Sequence, residues 1–390
     1  MVQMKKGLLL TIFGVIALLV IGCSSNQSPA SSGNNQTSDE NGDNSNNQTE
    51  ETIVLRASSG LPSHHVWLES FVYGWMERVE EESNGRVQFD VFTGGELVTL
   101  GGEFDALKAG TIDIAIPVMH LYDPHHFPLS EITMIPLTVS GTEVVNEAYH
   151  NLVYSDRELQ DGKTFYELEM EANGLKAWAM NAGEGYVINT VGKQFSSPED
   201  FRNARIRTGS RLSEMFITNV GATSISMPQT DSYDALSRGA LDGNLMTVGD
   251  WMSWGFQDLI KYVLEGANIG HFTSVIGMTQ EKWDSLPADI QEIMDNAAKE
   301  LQLAQEANDY MLAKDIEVRE LVEGEVVFAT INDLDDETRD HIVQAMEKTW
   351  FDWIDLIEAQ GSPGKEVAKL WRDLIIEAGG DVPDKIKDLD

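Results

Sequence analysis

The chain has 390 residues, 42% of them hydrophobic, which is enough for more than one packed lobe. Its 27 basic residues stand against 64 acidic ones, a net charge of −37. That balance excludes nucleic acid and anionic lipid headgroups as electrostatic partners, but not an anionic ligand held by local arginines, because distant charge is screened over ~8–10 Å.

Residues 1–22 read as a bacterial signal peptide, with Lys5 and Lys6 before the apolar run Gly7 to Gly22. The run is shorter than the ~20 apolar residues of a membrane span. Cys23, the only cysteine, follows Val20-Ile21-Gly22 as in a lipobox, so a lipid on Cys23 would become the anchor and no disulfide can form within the chain. Residues 24–52 are polar apart from Ala30 and Pro29, cannot bury surface, and read as a disordered tether. With Cys23 they form the segment 23–52.

The folded part starts at Ile53. Strands over Ile53 to Ala57, Arg86 to Phe92 and Ile112 to Ile116 alternate with helices over Val66 to Ser83 and Glu103 to Ala109. This β-α-β-α-β order predicts a parallel sheet with right-handed crossovers. A helix is expected over Thr142 to Leu159, a strand over Leu175 to Met180, a helix over Phe256 to Leu264 and a strand over His271 to Met278. A long helix follows, opened by Pro287 and stopped by Gly324, with apolar positions at Ile290, Ile293, Met294, Ala297, Leu301, Ala304 and Met311. It is either a bridge between two lobes or a surface helix kinked near Asn308. A strand, Val326 to Ile331, and helices over Glu337 to Glu358 and Lys365 to Ala378 complete the chain.

The segment from Phe195 to Gly243 is the most informative. Ser197-Pro198-Glu199-Asp200 has the residues of a helix start: a cap, a proline for the first turn and acids for the positive dipole end. It leads into a short strand, Arg205-Ile206-Arg207. Met227-Pro228 and Tyr233-Asp234-Ala235-Leu236-Ser237-Arg238-Gly239-Ala240-Leu241-Asp242-Gly243 follow. An arginine at a strand's C-terminal end faces the crevice where open α/β sheets bind ligands. On the bare residues a surface arginine fits as well.

These motifs resemble the substrate-binding proteins of TRAP transporters (tripartite ATP-independent, DctP-type), with the patterns "SPEDLKGLKIR" and "MP…YxALQxGxxDG". Gly85-Arg86-Val87 and Ala106 to Asp113 match that family's opening, and the resemblance runs from Ile53 to the end. It implies an α/β, two-lobed periplasmic-binding-protein-like fold with a ligand cleft between the lobes and a long helix bridging them. Lobe 1 would take residues 53–180 plus 272–315, and lobe 2 residues 181–271 plus 316–390. It also implies an extracytoplasmic protein that captures an organic acid by hinge closure and delivers it to a TRAP-type permease, while Cys23 holds it to the bilayer on the cell's outer face.

The resemblance makes Arg207 the carboxylate anchor, a role suited to the paired N–H groups of a guanidinium. Two family contacts are replaced: Gly185 stands where an arginine is common, and Met246 where an asparagine is common. Segments 58–63, 118–122 and 246–251 would complete the wall. The ligand-binding set expected is Arg207, Met246, Gly185, His65, His120, Tyr122, Trp251 and Tyr233. Trp251 and Trp254 fit either a pocket for a bulky acid or core packing. His64-His65 and His120, His125 and His126 with Asp123 allow hydrogen-bonding, ligand or zinc roles, and no metal is assigned. No nucleophile elbow, phosphate loop or C-x-x-C is present, so no enzyme and no cofactor is expected. A metal-binding or sensory lipoprotein on the same shell, and a lipoprotein hydrolase, are the alternatives.

Overall fold

A computed structural model describes residues 52–302 and 304–390. The expected signal segment, Cys23 and nearly all of the tether lie outside the described residues. Eleven strands are described: β1 (Ile53–Ser58), β2 (Val87–Phe92), β3 (Ile114–Val118), β4 (Leu175–Ala179), β5 (Val187–Thr190), β6 (Arg205–Thr208), β7 (Thr223–Ser226), β8 (Gly243–Met246), β9 (Tyr262–Glu265), β10 (Val275–Thr279) and β11 (Val327–Thr330). They form two sheets, ordered β2-β1-β3-β10-β4 and β11-β9-β5-β8-β6-β7. The fold is therefore mixed α/β in two lobes, one per sheet.

In the first sheet β1 runs parallel to both β2 and β3, as the alternating strands and helices require. β10 returns from the second lobe and inserts antiparallel between β3 and β4. The chain thus crosses between lobes after β4 and again before β10. β3 is buried along its whole length, as its apolar composition demands of a central strand.

Three expectations change. The segment Phe256 to Leu264 is not a helix: a single turn, Phe256–Asp258, gives way to β9, which pairs antiparallel with β5 and parallel with β11. Its Tyr-Val-Leu sequence suits a buried strand, and partners distant in sequence decide the matter. The long helix is two helices, Ala288–Gln302 and Gln305–Leu321, with Ala304 in an extended conformation (ψ 132°). No proline or glycine marks the break. The second of these helices joins the lobes: Met311 belongs to the first core, and Val318 with Val322 to the second.

The C-terminal helices also depart from the expected lobe assignment. In the helix Asp336–Ala359, Ile342, Ala345 and Met346 pack in a second-lobe core, whereas Trp350, Trp353, Ile354 and Ile357 lie in the first. The helix Gly364–Glu377 packs Trp371 and Ile375 into that first core, beside the helix Thr142–Val153. Large apolar side chains on this amphipathic tail decide where it docks.

Candidate functional site between the lobes

The motif before β6 is a scaffold. Asp200 accepts hydrogen bonds from the Ser197 backbone N–H (2.8 Å) and hydroxyl (2.9 Å), closing the helix start. Phe201 stacks on Phe195 at 4.4 Å and seals the turn into the core. Asp242 accepts from the Arg205 backbone (2.8 Å) and guanidinium (2.8 Å), tying β6 to β8. Gly243 is required there, because a Cβ would lie 2.2 Å from the Asn189 carbonyl oxygen. The aspartate–glycine pair thus fixes where β6 ends.

That placement puts Arg207 beside Asn244 of β8 and Ile225 of β7, its side chain 1% exposed. The guanidinium Nε donates to the Met227 carbonyl (2.9 Å), and one terminal nitrogen lies 3.5 Å from the Tyr122 hydroxyl. Among the described residues no carboxylate forms an ion pair with it. A buried guanidinium without a counter-charge is costly unless an anion completes it.

On the other side of Tyr122 lies a cavity between the lobes. Leu61, His65, Trp67 and Tyr122 line it from the first lobe, and Met246, Asp250 and Trp254 from the second. Tyr186 and Phe272 come from the crossing segments. The rings pack on one another: Trp67 lies 5.6 Å and Tyr122 5.5 Å from Phe272. The free space is about 30 Å³, room for a water molecule. Small-molecule pockets take some ~300 Å³ or more. In this closed form the cavity has no room for an organic acid.

Polar pairs also cross this boundary. Arg211, opening the helix after β6, is paired with the fully buried Glu131 of the first lobe. Burial pushes the Glu131 carboxyl up to about 7, against the pull of Arg211. His65 Nε2 lies 3.7 Å from Asp250 Oδ1. Burial lowers the His65 pKa and raises that of Asp250, each partly offset by the other.

The expected residues divide. Tyr122, His65 and Met246 meet at the cavity, and Arg207 reaches it through Tyr122. Trp251 does not meet it: it is wholly buried and stacks on Phe328 at 6.3 Å, a core residue of the second lobe. Tyr233 is 38% exposed and leans on Phe256. Gly185 lines a separate surface pocket of about 250 Å³ with Asn268 and Arg319, and a Cβ there would lie 3.1 Å from Asn268. His120 is buried against Phe127, and burial holds its pKa down to about 3. His126 pairs with Asp123 at 2.6 Å away from the cavity. Among the described residues no three His, Cys, Asp or Glu side chains could hold a metal ion. Sequence reasoning missed Trp67, Tyr186, Gln229, Asp250 and Phe272. Only Asp250 carried a signal, its place inside the 246–251 wall segment.

The sequence matches the family described as bacterial extracellular solute-binding protein, family 7 (DctP), over residues 57–355. The chain belongs to this DctP family. It is a solute-binding protein of transport, not an enzyme. A solute-binding protein of Albidiferax ferrireducens is 23% identical over 65% of this chain and 73% of its own. A TRAP solute-binding protein of Rhodoferax ferrireducens, solved with copurified benzoate, has a TM-score of 0.72 at 20% identity, covering 84% of this chain and 98% of that one. A marine metagenome TRAP solute-binding protein specific for aromatic acids, solved with 3-hydroxybenzoate, also gives 0.72, at 22% identity, covering 84% and 99%. DctP-family members are extracytoplasmic, and this chain has their two-lobed fold.

Proposed function

We propose that this DctP-family protein captures an aromatic monocarboxylate outside the membrane and delivers it to a TRAP-type permease. The observation that carries the reading is Arg207, buried and without a carboxylate partner beside an aromatic-walled cavity. A ligand carboxylate would supply the missing charge through two parallel N–H···O bonds, with Tyr122 turning aside or sharing the contact. Trp67, Tyr186, Trp254 and Phe272 would clasp the apolar ring. The benzoate and hydroxybenzoate held by the two similar structures support this ligand class. The ligand would bias an open–closed equilibrium by touching both lobes only when they close.

Cys23 would carry the lipid anchor and residues 24–52 the tether, so that the lobes work at the outer membrane face. Intact mass of the mature protein checks this: an unmodified Cys23 rules the anchor out.

Isothermal titration with benzoate, phenylacetate and C4-dicarboxylates tests the ligand class. Truncating one member of a buried charge pair costs about 2–5 kcal/mol, so Arg207→Ala weakens the best acid by roughly 30- to several-thousand-fold. Arg207→Lys recovers little, because it lacks the two-point geometry. An Arg207→Ala protein that melts normally and binds within threefold of the parent places the carboxylate elsewhere.

A further inference from the structure

The far wall of the cavity carries a polar pair among aromatic rings, with Thr247 beside the Asp250 carboxyl and Gln229 also on the lining. The Trp67 backbone N–H donates to His65 Nδ1 at 3.2 Å. In the neutral ring the proton therefore sits on Nε2. That Nε2–H faces Asp250 Oδ1 at 3.7 Å, too far for a hydrogen bond. Oδ1 is buried and finds no hydrogen-bond partner. The Asp250 side chain as a whole is 15% exposed. Trp67 and Trp254 meet the His65 ring edge-on, at 5.6 and 6.0 Å. A donor and an acceptor thus face each other across a gap, one on each lobe, inside an aromatic box.

One chemical group answers both. Two legs of about 2.8 Å span any base from the 3.7 Å of this closed form up to about 5 Å, so a hydroxyl oxygen bridges the pair even when the lobes stand far enough apart to admit a ring. The hydroxyl accepts from His65 Nε2–H and donates to Asp250 Oδ1. A methyl ether only accepts, and leaves Oδ1 bare. An ammonium only donates, and meets the Nε2–H with no lone pair. A bare hydrocarbon edge leaves both buried groups unmatched, a penalty of the kind that makes hydrogen-bonding sites reject deoxy analogues strongly.

We propose that the cognate ligand is a hydroxylated aromatic acid, its hydroxyl seated between His65 and Asp250 and its carboxylate directed to Arg207. This rests on the carboxylate reading above and adds to it. The hydroxyl joins residues of opposite lobes, so it reports closure as well as identity. Asp250 is then a specificity residue: it selects among acids that Arg207 would accept alike.

The test is a set of matched pairs measured by isothermal titration on the purified protein. Benzoate is compared with 3- and 4-hydroxybenzoate, phenylacetate with its ring-hydroxylated forms, and each phenol with its methyl ether. A hydrogen bond to a charged group is worth about 1.5–3 kcal/mol, so the better hydroxyl isomer binds about 10- to 100-fold tighter than the parent acid, and its ether no tighter than the parent. In Asp250→Leu the preference for the hydroxyl shrinks to within about threefold. Parent and phenol binding equally in the unaltered protein, at measurable affinity, overturns the proposal and leaves the carboxylate reading standing. An aminomethyl analogue binding tighter than the phenol overturns it in favour of an ammonium. Binding of no acid at all overturns both readings. The comparison in the unaltered protein decides the matter even if Asp250→Leu fails to fold.

Discussion

The hydroxyl of Tyr122 on the first lobe stands 3.5 Å from the guanidinium of Arg207 on the second. It is a weak contact on a guanidinium whose other hydrogen bond goes to the Met227 carbonyl and which has no carboxylate partner among the described residues. In the binding mode proposed above, the ligand's carboxylate would take the place Tyr122 holds here. Tyr122→Phe removes a neutral hydrogen bond and no charge. Its effect on acid affinity is expected to lie within about two- to tenfold, in either direction, well below that of Arg207→Ala. Titration of both variants with one acid checks the ranking. A Tyr122→Phe loss as large as that of Arg207→Ala would make the tyrosine the anchor.

Gly209 shapes the proposed anchor, Arg207, without lining the cavity. A Cβ there would lie 2.8 and 3.0 Å from the two terminal nitrogens of Arg207. Gly209→Ala therefore displaces the guanidinium, and a binding site tolerates only about 0.5 Å of such movement. The expected outcome is an affinity loss of about tenfold or more with a melting temperature shifted by only a few degrees. The stability cost is small because the obstructing atoms end a long side chain. Titration and thermal melting on one preparation separate the two effects.

Stability should peak in mildly acidic solution. Burial raises the carboxyls of Glu103, Glu131 and Glu169 from 4.5 to about 7. The folded state then holds protons that the unfolded chain gives up, so their stabilisation is present below pH 4.5 and lost as pH rises through about 7. Burial lowers His120 and His271 from 6.5 to about 3 and about 4. Here the unfolded chain takes up protons first, and stability is lost as pH falls below 6.5. Between pH 4.5 and 6.5 the two sets oppose each other. Above that window the glutamates act alone, and below it the histidines do, joined by Asp242, whose carboxyl Arg205 holds low. Melting temperature should fall on both sides of the window. His120→Phe should soften the acid side, and a profile rising steadily to pH 8 would contradict the account.

Much of the frame was legible in the chain. Strong local signals, such as the cap at Ser197 and the apolar run of β3, gave elements close to those observed. β9 was misread because Tyr262-Val263-Leu264 continues an apolar stretch, and its strand partners, β5 and β11, lie far away in sequence. The break before Gln305 has no local breaker, so only packing reveals it. Within the site, Arg207 stood out by its motif. Trp251 could not be told from a pocket residue, since core and pocket use the same aromatic chemistry. Asp250 was one acid among 64 acidic residues, and it acquires meaning only when the fold sets His65 against it.

The helix Asp336–Ala359 gives Ile342 and Met346 to one lobe and Trp350 and Trp353 to the other. Neither lobe can then be cut free with its interior complete, because each would lose part of a shared rod. Melting one half exposes large indole rings or aliphatic side chains of the other's lining, so the two halves form a single cooperative unit. Calorimetry of the unliganded protein would register one transition rather than two. The same rod limits how the halves can separate: they can pivot about it, but they cannot draw apart along it.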